Sequence, residues 1–235
     1  PARIYYEKIE DLNINLASKA NSVNFRSVEP LSNIDLTTGT TGNDTIYMGS
    51  DSTSTLNEIL GHVTVDTRAG NDTLRLNDSG DTADNTGVNA GVLTSTTITG
   101  LGTGGITYHN LETVTIDMGS ERDNFTVNST NATTITNVNG REGNDTFTVG
   151  SLLSDMKGLL NLTGGGMADT LIINDTSATS AKSGTLTAST LNGFGLAGSG
   201  LTYLAFESLN LNLGNFDDNL FIDSTHAGMT VVHAG

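Results

Sequence analysis

The chain has 235 residues, which is long enough for one elongated domain or two compact ones. Its 26 acidic residues outnumber its 10 lysines and arginines, and the net charge of −16 repels nucleic acid and anionic membranes, so we expect neither nucleic-acid binding nor membrane insertion. The absence of cysteine excludes disulfides and thiolate metal sites, and no run of 18 apolar residues is present to form a transmembrane helix.

The chain is internally repetitive. A segment that begins at Ile4 (IYYEKIEDLNINL) recurs 102 residues later at Ile106 (ITYHNLETVTIDM) and a further 95 residues later at Leu201 (LTYLAFESLNLNL). Each copy has a tyrosine followed four residues later by a glutamate: Tyr6/Glu10, Tyr108/Glu112 and Tyr203/Glu207. We predict large repeats at about 4–105 and 106–200, with a partial third at 201–235.

A shorter repeat lies within the large one. A turn that contains Asp or Asn, followed by a strand with alternating apolar residues, recurs at Asn21, Asp44, Asp72, Asp123, Asp145, Asp169 and Asp218. The spacings are 22–28 residues except for two gaps of 51 and 49, which we interpret as hiding one divergent coil each, near VLTSTTITGLG and TLTASTLNGFG. The large repeat would then contain four coils, and the chain about nine coils of 22–28 residues.

The predicted strands are short (IYM, LRL, FTV, LII, LNL) and are separated by Gly, Asn and Asp turns. Such strands are not stable as isolated hairpins, but stacked at about 4.8 Å per coil they line one continuous core. We predict an all-β, right-handed parallel β-helix (β-solenoid), three-sided at this coil length, with turns of helix only around Thr55–Gly61 and Leu152–Leu160. A repeated β-sandwich of about 100 residues is the alternative.

The chain starts and stops within a large repeat. We therefore expect residues 1–235 to form a single solenoid fragment of a longer tandem array, whose end coils are covered by neighbouring sequence or by another subunit.

Four turns carry a related motif: GTTGNDTIY at Gly39, TRAGNDTLR at Thr67, GREGNDTFT at Gly140 and GGGMADTLI at Gly164. The motif resembles the G-G-x-G-x-D-x-U-x repeat of haemolysin-type (RTX) calcium-binding proteins and its degenerate versions in giant bacterial adhesins and surface-layer proteins. The resemblance implies a bacterial extracellular or cell-surface location and calcium bound at the turns. The family repeats its motif every nine residues, whereas the spacing here is 22–28 residues.

The candidate metal ligands are the turn aspartates Asp44, Asp72, Asp123, Asp145, Asp169 and Asp218. Stacked in one column, their carboxylates and the turn carbonyls could supply the six to eight oxygens that Ca²⁺ takes. The competing interpretation is that each aspartate caps its own tight turn, a role that Asn21 fills equally well in the same place. We interpret the Tyr/Glu pairs as structural, with the glutamate satisfying turn amides, because an active site needs only one constellation.

No catalytic motif is present and the basic residues are scattered, so we predict that the protein is not an enzyme. Our first hypothesis is a structural or adhesive extracellular module (a stalk, surface-layer or filament component) that contacts other copies of itself or neighbouring repeats. The alternative is a calcium-binding adhesin that recognises glycan or another surface. A polysaccharide-active β-helix enzyme is a third, less favoured hypothesis.

Overall fold

The computed structural model describes residues 4–50, 53–198 and 200–235. These residues form two long sheets in which most neighbouring strands are parallel, and the chain passes back and forth between the two sheets. The architecture is all-β and solenoid-like, as predicted. Because the pairing is mainly parallel, the repeated antiparallel β-sandwich is not the fold of this chain.

The strands are short, with between three and seven residues each. The eleven-stranded sheet contains β1 (Asp11–Asn15), β3 (Asn33–Thr37), β5 (His62–Asp66), β7 (Gly91–Leu93), β8 (Thr97–Thr99), β9 (Ile106–His109), β11 (Asn124–Val127), β13 (Thr146–Val149), β15 (Thr170–Asn174), β19 (Ser208–Asn212) and β21 (Met229–His233). The ten-stranded sheet contains β2 (Ser22–Phe25), β4 (Thr45–Met48), β6 (Thr73–Asn77), β10 (Thr113–Asp117), β12 (Ile135–Arg141), β14 (Leu160–Gly165), β16 (Ser183–Leu186), β17 (Thr190–Gly193), β18 (Leu201–Leu204) and β20 (Asn219–Ile222).

Parallel pairing in register stacks like residues on like. Leu74 of β6 lies beside Val114 of β10, and Leu76 lies beside Ile116; all four side chains are fully buried. The side chains between them along each strand point outward, which produces the alternation of apolar and polar residues in the sequence. The inward-facing residues of both sheets form one continuous core cluster. The predicted strands IYM, LRL, FTV, LII and LNL all lie in this arrangement.

The two segments that we interpreted as divergent coils are antiparallel meanders, so that interpretation was wrong. β7, β8 and β9 lie side by side in the eleven-stranded sheet, and β16, β17 and β18 do the same in the ten-stranded sheet. The first turn of each meander is tight. The N–H of Thr94 donates to the carbonyl of Thr97 at 2.8 Å, and the N–H of Thr187 donates to that of Thr190 at 2.9 Å. The hydroxyl of Thr94 or Thr187 also accepts the backbone N–H three residues later at 3.0 Å, a contact typical of such turns.

The meanders also change the size of the large repeat. Six single strands, β10 to β15, separate one meander from the other, so the chain crosses between the sheets an odd number of times per repeat. The large repeat is therefore about three and a half windings long, and the prediction of four coils was wrong. As a consequence, equivalent residues of successive repeats lie in opposite sheets: Tyr108 is on β9 and Tyr203 is on β18.

A third side is present only as isolated parallel bridges within the described ranges. Val28 pairs with Ile59 in this way, and Thr130 pairs with Met156. In place of the predicted three sides, the described residues form two sheets, and the third side consists only of these isolated bridges. Of the two places where we allowed a turn of helix, Leu152–Leu160 contains a 3₁₀ turn at Leu153–Asp155, whereas Thr55–Gly61 contains none; a further 3₁₀ turn lies at Gly87–Asn89.

Candidate functional site

Buried carboxylates link successive strands of the ten-stranded sheet at the residue just before each strand. The backbone N–H of Asn21 donates to Oδ1 of Asp44 at 2.7 Å, and the N–H of Asp44 donates to Oδ1 of Asp72 at 2.7 Å. The N–H of Asp72 then donates to Oε2 of Glu112, also at 2.7 Å. We call this series the first carboxylate ladder. It joins β2, β4, β6 and β10 by side-chain contacts in addition to the backbone hydrogen bonds of the sheet.

A second carboxylate ladder has the same construction on the eleven-stranded sheet. The N–H of Asn85 donates to Oδ1 of Asp123 at 3.1 Å, that of Asp123 to Asp145 at 2.8 Å, and that of Asp145 to Asp169 at 2.8 Å. The N–H of Asp169 donates to Oε2 of Glu207 at 2.7 Å. Both ladders therefore end on the glutamate of a Tyr-x-x-x-Glu segment, at the strand that follows a meander.

The six predicted aspartates do not form one column. Asp44 and Asp72 lie on one sheet and Asp123, Asp145 and Asp169 on the other, because the large repeat contains an odd number of crossings. The sixth, Asp218, belongs to neither ladder. It lies on the ten-stranded sheet, where its Oδ1 accepts the N–H of Lys182 at 2.7 Å.

The aspartates also act differently from simple turn caps. Each Oδ1 accepts the N–H of the equivalent residue one strand away, in preference to an N–H of its own turn. The physical reason is the parallel register, which places equivalent residues of successive strands about 4.8 Å apart, within reach of a short carboxylate side chain. The turn-cap interpretation placed the amide in the aspartate's own turn, whereas the N–H that Oδ1 accepts belongs to the neighbouring strand; Asp123 in addition accepts the N–H of Gly119, in its own turn, at Oδ2.

The glycines of the repeated motif make room for these carboxylates. A Cβ atom on Gly140 would lie 2.5 Å from Oδ2 of Asp145, and one on Gly164 would lie 2.7 Å from Oδ2 of Asp169. Both distances are too short for a real Cβ contact. At these two turns, the pairing of a glycine with an aspartate five residues later, which resembles the calcium-binding motif, follows from the packing of the ladder; before Asp72 the same place is held by Thr67.

Four ladder aspartates have a second carboxylate oxygen without a hydrogen-bond partner. These oxygens are Oδ2 of Asp44, Asp72, Asp145 and Asp169, whose residues are at most 1% exposed. Burial raises the pKa of Asp145 to about 7 and that of Asp169 to about 6, and it also raises the pKa of Asp72. Each carboxylate therefore satisfies a backbone amide but remains incompletely compensated near neutral pH.

The fit to a metal ion is limited. Within the described ranges, no group of three or more Asp, Glu, His or Cys side chains is arranged to hold a metal ion. Asp44, Asp72, Asp145 and Asp169 each have one oxygen committed to an N–H and one oxygen free, whereas both oxygens of Asp123 accept N–H groups. A cation at a ladder would therefore take single carboxylate oxygens and complete its shell with backbone carbonyls or water.

In the second and third copies of the repeated segment, the tyrosine and the glutamate have separate partners, whereas the buried hydroxyl of Tyr6 in the first copy has none within the described residues. The hydroxyl of Tyr108 donates to the carbonyl of Thr94 at 2.6 Å, and that of Tyr203 donates in the same way to Thr187. Both bonds tie the last strand of a meander to its first hairpin. Burial raises the pKa of both tyrosines, that of Tyr203 to about 12, so the hydroxyls stay protonated. The contacts are structural, as we predicted for these pairs.

The use of glutamate at the end of each ladder has a geometric cause. The N–H groups of Glu207 and Ser208 both donate to the carbonyl of Asp169, at 3.1 and 3.0 Å, and Glu112 and Thr113 repeat this arrangement on Asp72. One carbonyl thus accepts two successive N–H groups at this point, although the register of the strands stays one to one. We infer that this backbone arrangement needs the additional methylene of glutamate for the carboxylate to reach the N–H of the preceding strand.

Shortening this side chain is expected to break the contact. We expect Glu207→Asp to lower the free energy of unfolding by about 1 kcal/mol, because the N–H of the buried Asp169 loses its acceptor. Glu207→Gln keeps an acceptor oxygen of the same reach and should stay close to the parent. Urea unfolding followed by circular dichroism measures both, with Glu121→Asp at an exposed position as the control. Equal losses for the Asp and Gln variants would contradict the geometric explanation.

Two fully buried aspartates were missed by the sequence interpretation. Oδ1 of Asp78, just after β6, accepts the N–H of Leu56 at 2.8 Å, and Oδ1 of Asp175, just after β15, accepts the N–H of Leu153 at 2.9 Å. The available signal was their alignment in the segments AGNDTLRLND and GMADTLIIND, 97 residues apart. They accept backbone N–H groups at the ends of strands, as the ladder aspartates do at the beginnings of strands.

Comparison of the chain with protein-family models, with curated proteins and with solved structures found no match. No helix in the described residues is long and apolar enough to cross a membrane.

Proposed function

We propose that the chain is a structural and adhesive module of a bacterial extracellular protein, folded as a right-handed β-helix of about nine coils. The observation that carries the proposal is the duplication of its polar contacts. Glu112 binds the N–H of Asp72, and Glu207 binds that of Asp169, both at 2.7 Å. A catalytic centre or specific pocket needs a constellation that occurs once, whereas a scaffold needs the same contact in every unit.

The edges of the sheets would supply the contacts between copies or neighbouring repeats. β1 and β21 are the outermost strands of one sheet, and β2 and β20 are those of the other. An outermost strand carries unpaired N–H and C=O groups that can bind a further strand. Phe221 and Ile222 on β20 are also 56% and 53% exposed. A stalk, surface-layer or fibre component that lengthens by adding strands at these edges fits both features.

Sedimentation velocity over a wide range of concentration tests this proposal. We expect the chain to associate and Phe221→Lys to weaken the association, because a lysine on an edge strand opposes further pairing. Leu204→Lys is the matched control, since Leu204 is 60% exposed but lies on β18, inside the sheet. Monomers at every concentration would overturn association through the edges, and equal effects of both lysines would overturn the assignment to β20.

The second candidate function is a calcium-binding adhesin that recognises glycan or another surface. It is favoured by the buried Oδ2 atoms of Asp44, Asp72, Asp145 and Asp169, which have no hydrogen-bond partner. A calcium ion near a ladder would offset their negative charge and stiffen the turns. The net charge of −16 would also draw cations to the surface.

Thermal unfolding in millimolar calcium, with magnesium and a chelator as controls, tests the calcium candidate. A ligand that binds only the folded chain stabilises it by about 2.7 kcal/mol at one hundred times its dissociation constant, so the midpoint should rise clearly. An unchanged midpoint would remove calcium from the function. If the midpoint rises, a glycan array probed with and without calcium would test recognition of a surface.

A further inference from the structure

We propose that a buried polar cluster in the first large repeat binds a proton as the solution turns mildly acidic and thereby acts as a pH-sensitive clamp on the solenoid. The cluster consists of Asp78, Asp81, Asn85 and Asp123 and is called the Asp78 cluster below. The equivalent cluster of the second repeat contains a lysine and should respond more weakly. The inference is independent of the proposed extracellular role.

The Asp78 cluster is closed off from solvent. Asp78 and Asp123 are 0% exposed, Asn85 is 2% exposed and Asp81 is 5% exposed. The side-chain amide of Asn85 donates to Oδ2 of Asp81 at 3.2 Å and to Oδ2 of Asp78 at 3.4 Å. Asp123 accepts the N–H groups of Asn85 and Gly119, both at 3.1 Å. Three buried carboxylates therefore surround one neutral amide, and they join the end of β6 to the turn before β11.

The second repeat has a lysine in the equivalent buried cluster. Asp175 replaces Asp78, and Lys182 replaces Asn85, as shown by its N–H, which donates to Asp218 just as the N–H of Asn85 donates to Asp123. The ammonium of Lys182 lies 3.9 Å from Oδ2 of Asp175 and donates to the carbonyl of Phe194 at 3.2 Å. Ala178 stands in place of Asp81. The second cluster thus has two carboxylates and an ammonium where the first has three carboxylates.

The basic residues near the Asp78 cluster are engaged elsewhere. Arg122 lies next to Asp123 in the sequence, but its guanidinium pairs with Asp84 at 2.8 Å on the exposed surface. Arg75 on β6 faces Asp117 on the outer side of the sheet, at 4.0 Å. In the part of the chain that the structure describes, no lysine or arginine forms an ion pair with a carboxylate of the cluster. The charged groups that act on Asp78 are therefore Asp81 and Asp123.

Burial, with the charges of Asp81 and Asp123, raises the pKa of Asp78 from 3.8 to about 7. An acid whose pKa is higher in the folded chain than in the unfolded chain favours folding at low pH. Its contribution is complete below the unfolded value and is lost as the pH rises through the folded value. The contribution of the Asp78 cluster to the free energy of unfolding should therefore increase as the pH falls from 8 to 5.

Thermal unfolding of matched variants between pH 5 and pH 8 tests the proposal. Asp81→Ala places in the first repeat the residue found in the second, and it should raise the midpoint at pH 8 by about 2–4 °C and reduce the rise on acidification. Asn85→Lys should act in the same direction, and Lys182→Asn should lower the midpoint at pH 8 and make the pH dependence steeper. The ladder aspartates Asp44, Asp72 and Asp169 lie outside the two clusters and should titrate equally in parent and variants, so the difference between the curves isolates the clusters.

Two results would overturn the proposal. One is a pH dependence of Asp81→Ala that equals that of the parent. The other is a response to calcium: if millimolar calcium at pH 8 removes the pH dependence of the parent but leaves Asp81→Ala unchanged, a metal ion and not a proton balances the cluster. Carboxyl carbon NMR titration of Asp78 provides an independent readout, with an expected midpoint well above that of an exposed aspartate and lower in Asp81→Ala.

Discussion

Replacing Phe147 with alanine is expected to lower the free energy of unfolding by about 3–5 kcal/mol, the largest effect of any single substitution considered for this chain. Phe147 is fully buried on β13. Its ring lies 5.3 Å from that of Phe206 in an edge-to-face contact and 6.3 Å from that of Phe125. Removing the ring leaves a cavity in the core. The backbone of β13 is held on both sides by parallel pairing with β11 and β15, so it cannot move in to fill that cavity.

Calorimetry together with urea unfolding measures this loss. Phe221→Ala is the matched control, because that phenylalanine is 56% exposed on an outermost strand and its removal should change stability by less than about 0.5 kcal/mol. Comparable losses for the two variants would mean that the core between the sheets does not carry the stability of the solenoid. The contact between Phe147 and Phe206 also holds the corner that carries Glu207, so we expect Phe147→Ala to weaken the end of the second ladder.

Asp145→Ala is expected to lower the free energy of unfolding by about 1–3 kcal/mol, whereas Asp145→Asn is expected to be neutral or stabilising above pH 7. Oδ1 of Asp145 accepts the N–H of Asp123 at 2.8 Å, and alanine leaves that buried N–H without a partner. Asparagine keeps an acceptor oxygen and removes a buried charge, since burial raises the pKa of Asp145 to about 7.

The asparagine variant separates the two candidate functions. If the ladder is structural, Asp145→Asn should lose the stabilisation that the parent gains on acidification, because the folded parent binds a proton there and the variant does not. If the ladder holds calcium, Asp145→Asn should lose the midpoint increase that calcium gives the parent. A destabilisation by asparagine as large as that by alanine, without calcium, would contradict the role of Asp145 as a hydrogen-bond acceptor.

The ladders also explain why the sequence resembles calcium-binding repeats. Glycine is needed where a Cβ would meet the carboxylate, as at Gly140, and aspartate is needed where its Oδ1 reaches the next strand. Both requirements follow from parallel stacking and hold with or without a metal ion. The motif is therefore informative about architecture, and calcium remains a proposal for the experiment above.

The sequence by itself determined the parts of this protein that depend on local and periodic signals. Alternating apolar residues placed β6, β13 and β15 correctly, because side chains on successive positions of a strand face opposite sides. The threefold recurrence of Tyr and Glu correctly indicated a structural role for Glu112 and Glu207, since identical units make identical contacts.

Only the tertiary structure decided how these units are arranged. The return of β8 and β17 within one sheet rests on tight turns and antiparallel pairing, which spacing alone does not distinguish from one more coil. The large repeat contains an odd number of crossings between the sheets, which places equivalent aspartates in opposite sheets and divides the expected column into two ladders. The tertiary structure also decided which charges meet, so that Asp78 lies among carboxylates while Asp175 lies beside Lys182: the energy of a buried charge depends on neighbours that are distant in the sequence.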